Sequence, residues 1–209
     1  ACKNGRVLIF KKHKFIRFLL VKFKINLYRN PQTVYERYIR TTSPLGLEYD
    51  HKGLDYFLDD RNRSDVIGLL QERNFDFCLK TVCLAPGASF NTKRWPVEKF
   101  ARVAQKIQDD LKMQIILTGG KDDVPLAREI EKKCLLPVYN FTGLLSFMKT
   151  ACLISFSHIV LTNDTGLMHL ANALKKPTVA LFGPTVREFG FFPIQSLSIV
   201  IENPGLRCR

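Results

Sequence analysis

The sequence predicts an α/β fold: a parallel sheet with helices on both faces, from about residue 77 onward, preceded by a partial, mostly helical piece. Three observations predict it. Short, fully apolar runs alternate with amphipathic segments, the pattern of strands buried on both sides between helices. The runs end in glycine, proline or small polar residues, as the turns between such elements require. Before residue 77 the chain is basic and helical in its periodicity, so a domain boundary is placed near residue 76, giving units 1–76 and 77–209.

In chain order, Val7 to Phe10 reads as the tail of a strand. Residues 13–28 read as a helix with Phe15, Phe18, Leu19, Lys22 and Phe23 on one face. Asn30-Pro31 supplies an N-cap and a first-turn proline for a helix carrying Val34, Tyr35 and Tyr38 to about Thr41. Residues 42–63 are loop-like, and Ser64 caps a helix to Arg73. Strands follow at 81–85, 114–118, 138–141, 158–162, 177–182 and 197–201, with helices at 96–110, 122–133, 146–156 and 165–174. Trp95 is expected to anchor the first of these helices in the core. No repeat or low-complexity tract is seen.

The 209 residues are 46% hydrophobic and 24% charged, ordinary for a soluble globular protein. No apolar run reaches the ~18 residues of a membrane span. The start, Ala1-Cys2-Lys3-Asn4, lacks both Met and an apolar signal segment, and the end, Leu206-Arg207-Cys208-Arg209, has no helix stop. Both ends read as cuts through a longer protein. Six cysteines, Cys2, Cys78, Cys83, Cys134, Cys152 and Cys208, form no CxxC pair, which fits reduced thiols in the cytoplasm. Cys83 and Cys152 read as buried small hydrophobes. The net charge is +13. Residues 1–40 hold eleven Lys/Arg against Glu36 alone, a local +10, which would attract nucleic acid, anionic lipid or a phosphorylated glycolipid.

The chemistry is expected beyond the carboxyl ends of the strands. One strand runs into Ala85-Pro-Gly-Ala-Ser89 and then Lys93, a second into Asn163-Asp-Thr-Gly166 and directly into a helix, a third into Gly183-Pro-Thr185. At the second, Asp164 or Thr165 is expected to cap the helix. Gly166 permits close approach of a ligand, and the first helical N–H groups favour phosphate. His169 follows Thr165 by four residues, so both lie on one helix face. Lys93 and Ser89 can reach the same anion. The bland alternatives are a plain helix cap at Asp164, a core histidine at 169 and a solvated lysine at 93. There is no GxxxxGK[ST], no GxGxxG, no zinc-like Cys/His spacing and no Asp-x-Asp pair. Asp109-Asp110 and Asp122-Asp123 are adjacent acids in charged segments and read as solvated faces. A phosphate is thus expected to be neutralised without a metal.

These runs resemble a known family. Pro86-Gly-Ala-Ser-Phe-Asn-Thr-Lys-Arg-Trp-Pro96 with Glu98-Lys-Phe-Ala101, Leu117-Thr-Gly-Gly120, Asn163-Asp-Thr-Gly-Leu-Met-His169 and Ala180-Leu-Phe-Gly-Pro-Thr185 are, in order and spacing, similar to the bacterial heptosyltransferases of glycosyltransferase family 9. The likeness is strong over 77–209 and weaker over 1–60, where the basic helix and Gly53-Leu-Asp-Tyr-Phe57 carry it. It implies a GT-B architecture of two Rossmann-like domains, with this chain supplying the end of the acceptor domain and most of the donor domain. It implies transfer of heptose from ADP-heptose to the lipopolysaccharide inner core, inverting, with no metal or other cofactor. By the resemblance Ser89 and Lys93 would contact diphosphate and sugar, and Asp164 the sugar hydroxyls. Thr165, Gly166 and His169 would bind phosphate or adjoining groups, and Leu145 would pack on the base. Gly87, Ala88, Gly120, Gly183 and Thr185 would line the site further. The family's catalytic base lies in a Gly-rich stretch near the start of the N-terminal domain, and nothing in residues 1–76 corresponds to it. The fragment is therefore expected to bind donor without turning over alone. A monomer is expected, possible contact with anionic lipid at the inner face of the cytoplasmic membrane is one reading of the basic helix, and no nucleic-acid partner is expected. The rival readings are a non-catalytic nucleotide-binding module and a basic nucleic-acid binding protein.

Overall fold

The computed structural model describes residues 7–10, 12–194, 197–203 and 205–206. Cys2 and Cys208, and the cations Lys3, Arg6 and Lys11, lie outside them. The chain forms two units. The larger comprises Gly53–Pro184 and Pro193–Leu206; the smaller takes its described residues from Ala1–Lys52 and Thr185–Phe192.

The larger unit is built on six parallel strands: β1 (Thr81–Ala85), β2 (Gln114–Leu117), β3 (Tyr139–Asn140), β4 (Ile159–Asn163), β5 (Thr178–Phe182) and β6 (Ser198–Glu202). Their order is β3-β2-β1-β4-β5-β6. The order reverses between β1 and β4, which pair with Ala85 opposite Thr162. Crossovers leave this pair in opposite directions and open a crevice at its carboxyl end. β1 shows why the sheet is buried on both sides. Its Cys83 joins one apolar cluster with Val66, Leu70, Leu153 and Ile154. Its Val82 and Leu84 join another with Phe100, Ala104, Leu117 and Ile130. The helices behind these clusters are α3 (Asp60–Gln71), α6 (Phe147–Ser155) and α7 (Gly166–Ala173) for the first, and α4 (Val97–Leu111) and α5 (Val124–Lys133) for the second. Trp95 packs against the second cluster, edge-on to Phe100 at 5.2 Å. Cys83 and Cys152 are buried, and burial pushes the Cys83 thiol up to about 12.

Several boundaries differ from the sequence reading. α3 starts four residues early, because the Asp59 side chain accepts from Arg61 N at 3.1 Å and caps it, not Ser64. Its Val66 and Leu70 are fully buried under β1 and α6, so the unit begins at Gly53 and not near residue 76.

In the smaller unit, α2 (Val34–Thr41) is capped by Thr33, not Asn30. Thr33 and Glu36 satisfy each other's backbone N–H groups, a reciprocal cap that outcompetes Asn30-Pro31. The turn 187–190 is fastened to this helix: Val34 N donates to Gly190 O at 3.0 Å and Arg37 Nη2 to Phe189 O at 2.7 Å. α1 (Lys14–Phe23) is shorter than expected, ending where Lys24 adopts φ 59°. Its sheltered side is Ile16, Leu19 and Leu20, whereas Phe15, Phe18 and Phe23 are exposed. Val7 to Phe10 is not a strand. Among the described residues no helix is long and apolar enough to cross a membrane.

Candidate functional site

The carboxyl ends of β1, β2 and β4 enclose an open cavity of about 540 Å³. Seven of the residues singled out in the sequence line it: Gly87, Ala88 and Ser89 after β1, Gly120 after β2, Leu145 before α6, and Thr165 and Gly166 at the start of α7. A Cβ on Gly166 would meet nothing within 4 Å, so the backbone there stands open to a ligand.

The buried amide of Asn163 is the pin of the site. It closes β4 and is fully buried. Its Nδ2 donates to Pro86 O at 2.8 Å and Gly87 O at 3.3 Å, while its Oδ1 accepts from Trp95 N at 3.1 Å. One side chain thus fixes both ends of the Pro86–Trp95 loop to the neighbouring strand. Asn163 was read as part of the motif but not as a site residue. A buried strand-end asparagine is the signal, since its amide must find partners.

Asp164 is 6% exposed and does not cap α7. Its Oδ2 meets Lys93 Nζ at 2.5 Å. Thr165 occupies the cap position without a side-chain bond to the helix; its hydroxyl lies 3.3 Å from that of Thr162. Neither expected cap forms, so among the described residues no side-chain cap hydrogen bond closes the start of α7. His169 is half-buried beside the pair. Burial pushes its pKa below 6.5, the Asp164 charge pulls it back and the Lys93 charge lowers it again. The imidazole is therefore neutral at physiological pH.

Lys93, Asp164 and His169 do not line the main cavity. Lys93 and Gly183 line a neighbouring cavity of about 320 Å³, and Thr185 belongs to the smaller unit. The lining residues that the sequence reading missed include Arg94, Asp122, Asp123, Phe147 and Thr150. Arg94 directs Nε to Ala88 O at 2.8 Å. Asp123 is not a solvated acid: it accepts from Gly120 N at 2.9 Å, and a Cβ on Gly87 would fall on its carboxyl group. Gly120-x-x-Asp123, an acid three residues after a strand-end glycine, was the available signal.

The comparisons with known proteins agree with this geometry. Residues 11–208 match the family model of glycosyltransferase family 9 (heptosyltransferase). Lipopolysaccharide heptosyltransferase 2 of Escherichia coli (strain K12) is 35% identical over 111 residues, which are 50% of this chain and 31% of that protein. Lipooligosaccharide heptosyltransferase 2 of Campylobacter jejuni subsp. jejuni serotype O:6 is 38% identical over 111 residues, 51% of this chain and 34% of that protein. Among solved structures, the family 9 glycosyl transferase of Veillonella parvula superposes with TM-score 0.76 at 25% identity, over 85% of this chain and 52% of its own. The E. coli ADP-heptose LPS heptosyltransferase II superposes with TM-score 0.66 at 26% identity, over 81% and 54%. The chain spans about a third of the length of these curated relatives and about half of the solved chains. With a family match that runs nearly from end to end, and with the parallel sheet and strand-end loops in place, the chain belongs to glycosyltransferase family 9.

Proposed function

We propose that this chain carries the nucleotide-sugar site of a glycosyltransferase that moves heptose from ADP-heptose to the inner core of lipopolysaccharide, inverting and without a metal ion. The observation that carries the reading is the cavity at the β1/β4 crevice, where Ser89, Arg94 and the uncapped start of α7 face one space. Such a start favours negative charge through its free N–H groups and its dipole. The relatives support the sugar and acceptor: one is an ADP-heptose LPS heptosyltransferase.

The reaction is displacement at the anomeric carbon by an acceptor hydroxyl. Negative charge grows on the departing diphosphate, and donors fixed before the reaction stabilise it. The acceptor hydroxyl also needs a base. In this reading Ser89, Thr165 and Gly166 hold the diphosphate, Leu145 packs on the base, and Asp164 and His169 meet the sugar side. The base comes from the acceptor side of the whole enzyme. The expected result is saturable ADP binding by calorimetry with no heptose transfer by this chain alone. Absence of any saturable ADP binding would defeat the reading, and would leave a family member without a working donor site.

A second reading concerns location. The outward face of α1 interleaves exposed Phe15, Phe18 and Val21 with Lys14 and Lys22, and the Lys22 ammonium lies 5.5 Å from the Phe18 ring centre. Aromatic and cationic side chains together suit an anionic membrane surface. Flotation should recover more protein with anionic than with neutral vesicles, and equal recovery would sink the idea.

A further inference from the structure

We propose that Phe147 selects the nucleobase in the main cavity by stacking on it, and that Tyr56 is the positioning residue that holds its ring; this rests on the donor-site reading above. The lining of the cavity is of two kinds. Asp122, Asp123, Ser89 and Thr165 supply polar groups, whereas Leu145, Phe147 and Leu167 supply apolar side chains at or beside the starts of α6 and α7. Leu145 and Leu167 are partly buried and pack against the first apolar cluster. Phe147 differs. It lines the cavity yet is 57% exposed, and it is the one aromatic residue among the described residues that does so. A ring that borders a cavity without being built into the core is available to a planar ligand.

The ring is also held. Ser146 caps α6 by accepting from Lys149 N at 3.4 Å, so Phe147 is the first residue of the helix and leaves it beside the cavity. Tyr56 meets it in a T-shaped contact, with ring centres 6.2 Å apart and planes at 74°. Such a contact fixes the tilt of the ring. A ring has two faces, and Tyr56 can cover one at most. Tyr56 is itself tied down. Its hydroxyl donates to Met148 Sδ at 2.8 Å. The two residues before it are held by Lys175, just past the end of α7, whose Nζ donates to Leu54 O at 2.7 Å and pairs with Asp55 Oδ1 at 3.0 Å. The brace therefore runs from the end of α7 to the start of α6, apart from the Pro86–Trp95 loop. Stacking needs only a π face, so Phe147 would take any base, but a purine covers more of the ring than a pyrimidine and gains more from it.

The test measures ADP binding by calorimetry, and its displacement by UDP, in the parent chain and its variants. F147A is expected to lose about 5- to 100-fold in ADP affinity, the range for deleting an aromatic platform under one base. The loss for UDP should be smaller, so the preference for ADP over UDP should fall by about threefold or more. F147Y should stay within about twofold of the parent, whereas F147L, which keeps apolar volume without a π face, should stay well below it. F147L also covers the case in which F147A fails to fold. Y56A should lose about 2- to 10-fold, the scale of one aromatic pair, and nothing further when added to F147A, since it acts through that ring. Unchanged ADP affinity in F147A, or full affinity in F147L, overturns the stacking role. Equal loss of ADP and UDP overturns the selection of the base. A Y56A loss that persists undiminished in F147A overturns the bracing. If the parent chain binds no ADP, the donor-site reading itself has failed, an outcome distinct from all of these.

Discussion

Replacing Asn163 with alanine is expected to destabilise the larger unit by about 3–5 kcal/mol and to lower Tm by about 10 °C. Three hydrogen bonds disappear with the amide. Their net contribution is about 1 kcal/mol each, but the larger cost is what they leave behind. The Pro86 and Gly87 carbonyls and the Trp95 N–H lose their partner in a region where water does not readily replace it, at about 1–3 kcal/mol for a fully buried group. Because a native domain is stable by only about 5–15 kcal/mol, this is a large fraction of the whole. Function should suffer with it, since the same loop supplies Gly87, Ala88, Ser89 and Arg94 to the cavity. Asn163→Asp separates hydrogen bonding from volume. It keeps the acceptor for Trp95 N but turns a carboxylate toward two carbonyls, so it should be at least as damaging as alanine. Thermal unfolding followed by circular dichroism reads both. A drop below about 3 °C in Asn163→Ala, on the same size scaling, would show that Asn163 does not pin the loop.

How much of this was readable in advance depends on what kind of signal each element carries. Strands buried on both faces write themselves as apolar runs. β1, β4 and β5 accordingly lie within a residue of their expected bounds, and β6, whose Ile199 and Ile201 are exposed, was legible from its apolar run alone. The strand-end loops were legible for the same reason, since glycine and small polar residues must follow such runs. Helix starts were less so. Asp59 begins α3 ahead of Asp60-Arg-Asn-Arg63, a stretch with no apolar periodicity to reveal it. Thr33 wins over Asn30 by a reciprocal bond with Glu36, a pairwise effect that scanning for single cap residues misses.

Side-chain direction was the least legible. Lys93 and Arg94 are neighbours of equal charge, yet Lys93 pairs with Asp164 while Arg94 borders both the main and the neighbouring cavity. Asp123 read as one more surface acid. Its place beside Gly87 and Gly119 depends on two loops more than thirty residues apart in sequence, so local composition carries no trace of it.

Lys93→Ala is expected to cost about 3 kcal/mol, the lower end of the range for removing one partner of a buried ion pair. Asp164 is almost wholly enclosed, with 5% of its side chain exposed, while Lys93 keeps 24%. The desolvated charge is therefore the one left behind. The lower end applies because water still reaches the lysine and screens the pair. Tm should fall by about 6 °C or more. The double variant Lys93→Met/Asp164→Leu should recover most of that loss, because apolar replacement of both partners removes the desolvation penalty along with the attraction. His169 supplies an independent readout. Its folded pKa is depressed below 6.5, so its neutral form contributes stability that is full above pH 6.5 and lost as pH falls toward the folded value. Burial is the main cause, and the Lys93 charge adds to it. Removing Lys93 should raise the imidazole pKa toward 6.5 and narrow that window, whereas Asp164→Asn should lower it further and widen it. Imidazole titration by NMR follows the shift, and thermal unfolding from pH 7.5 to 5 follows its effect on stability. A Lys93→Ala protein with unchanged Tm and an unmoved His169 titration would show that the 2.5 Å contact does not hold this corner together. With the pair confirmed, ADP binding by Lys93→Ala becomes informative in a different sense. The variant should bind more weakly because the Asp164 charge remains near the site without its lysine, a loss that adding Asp164→Asn should largely reverse.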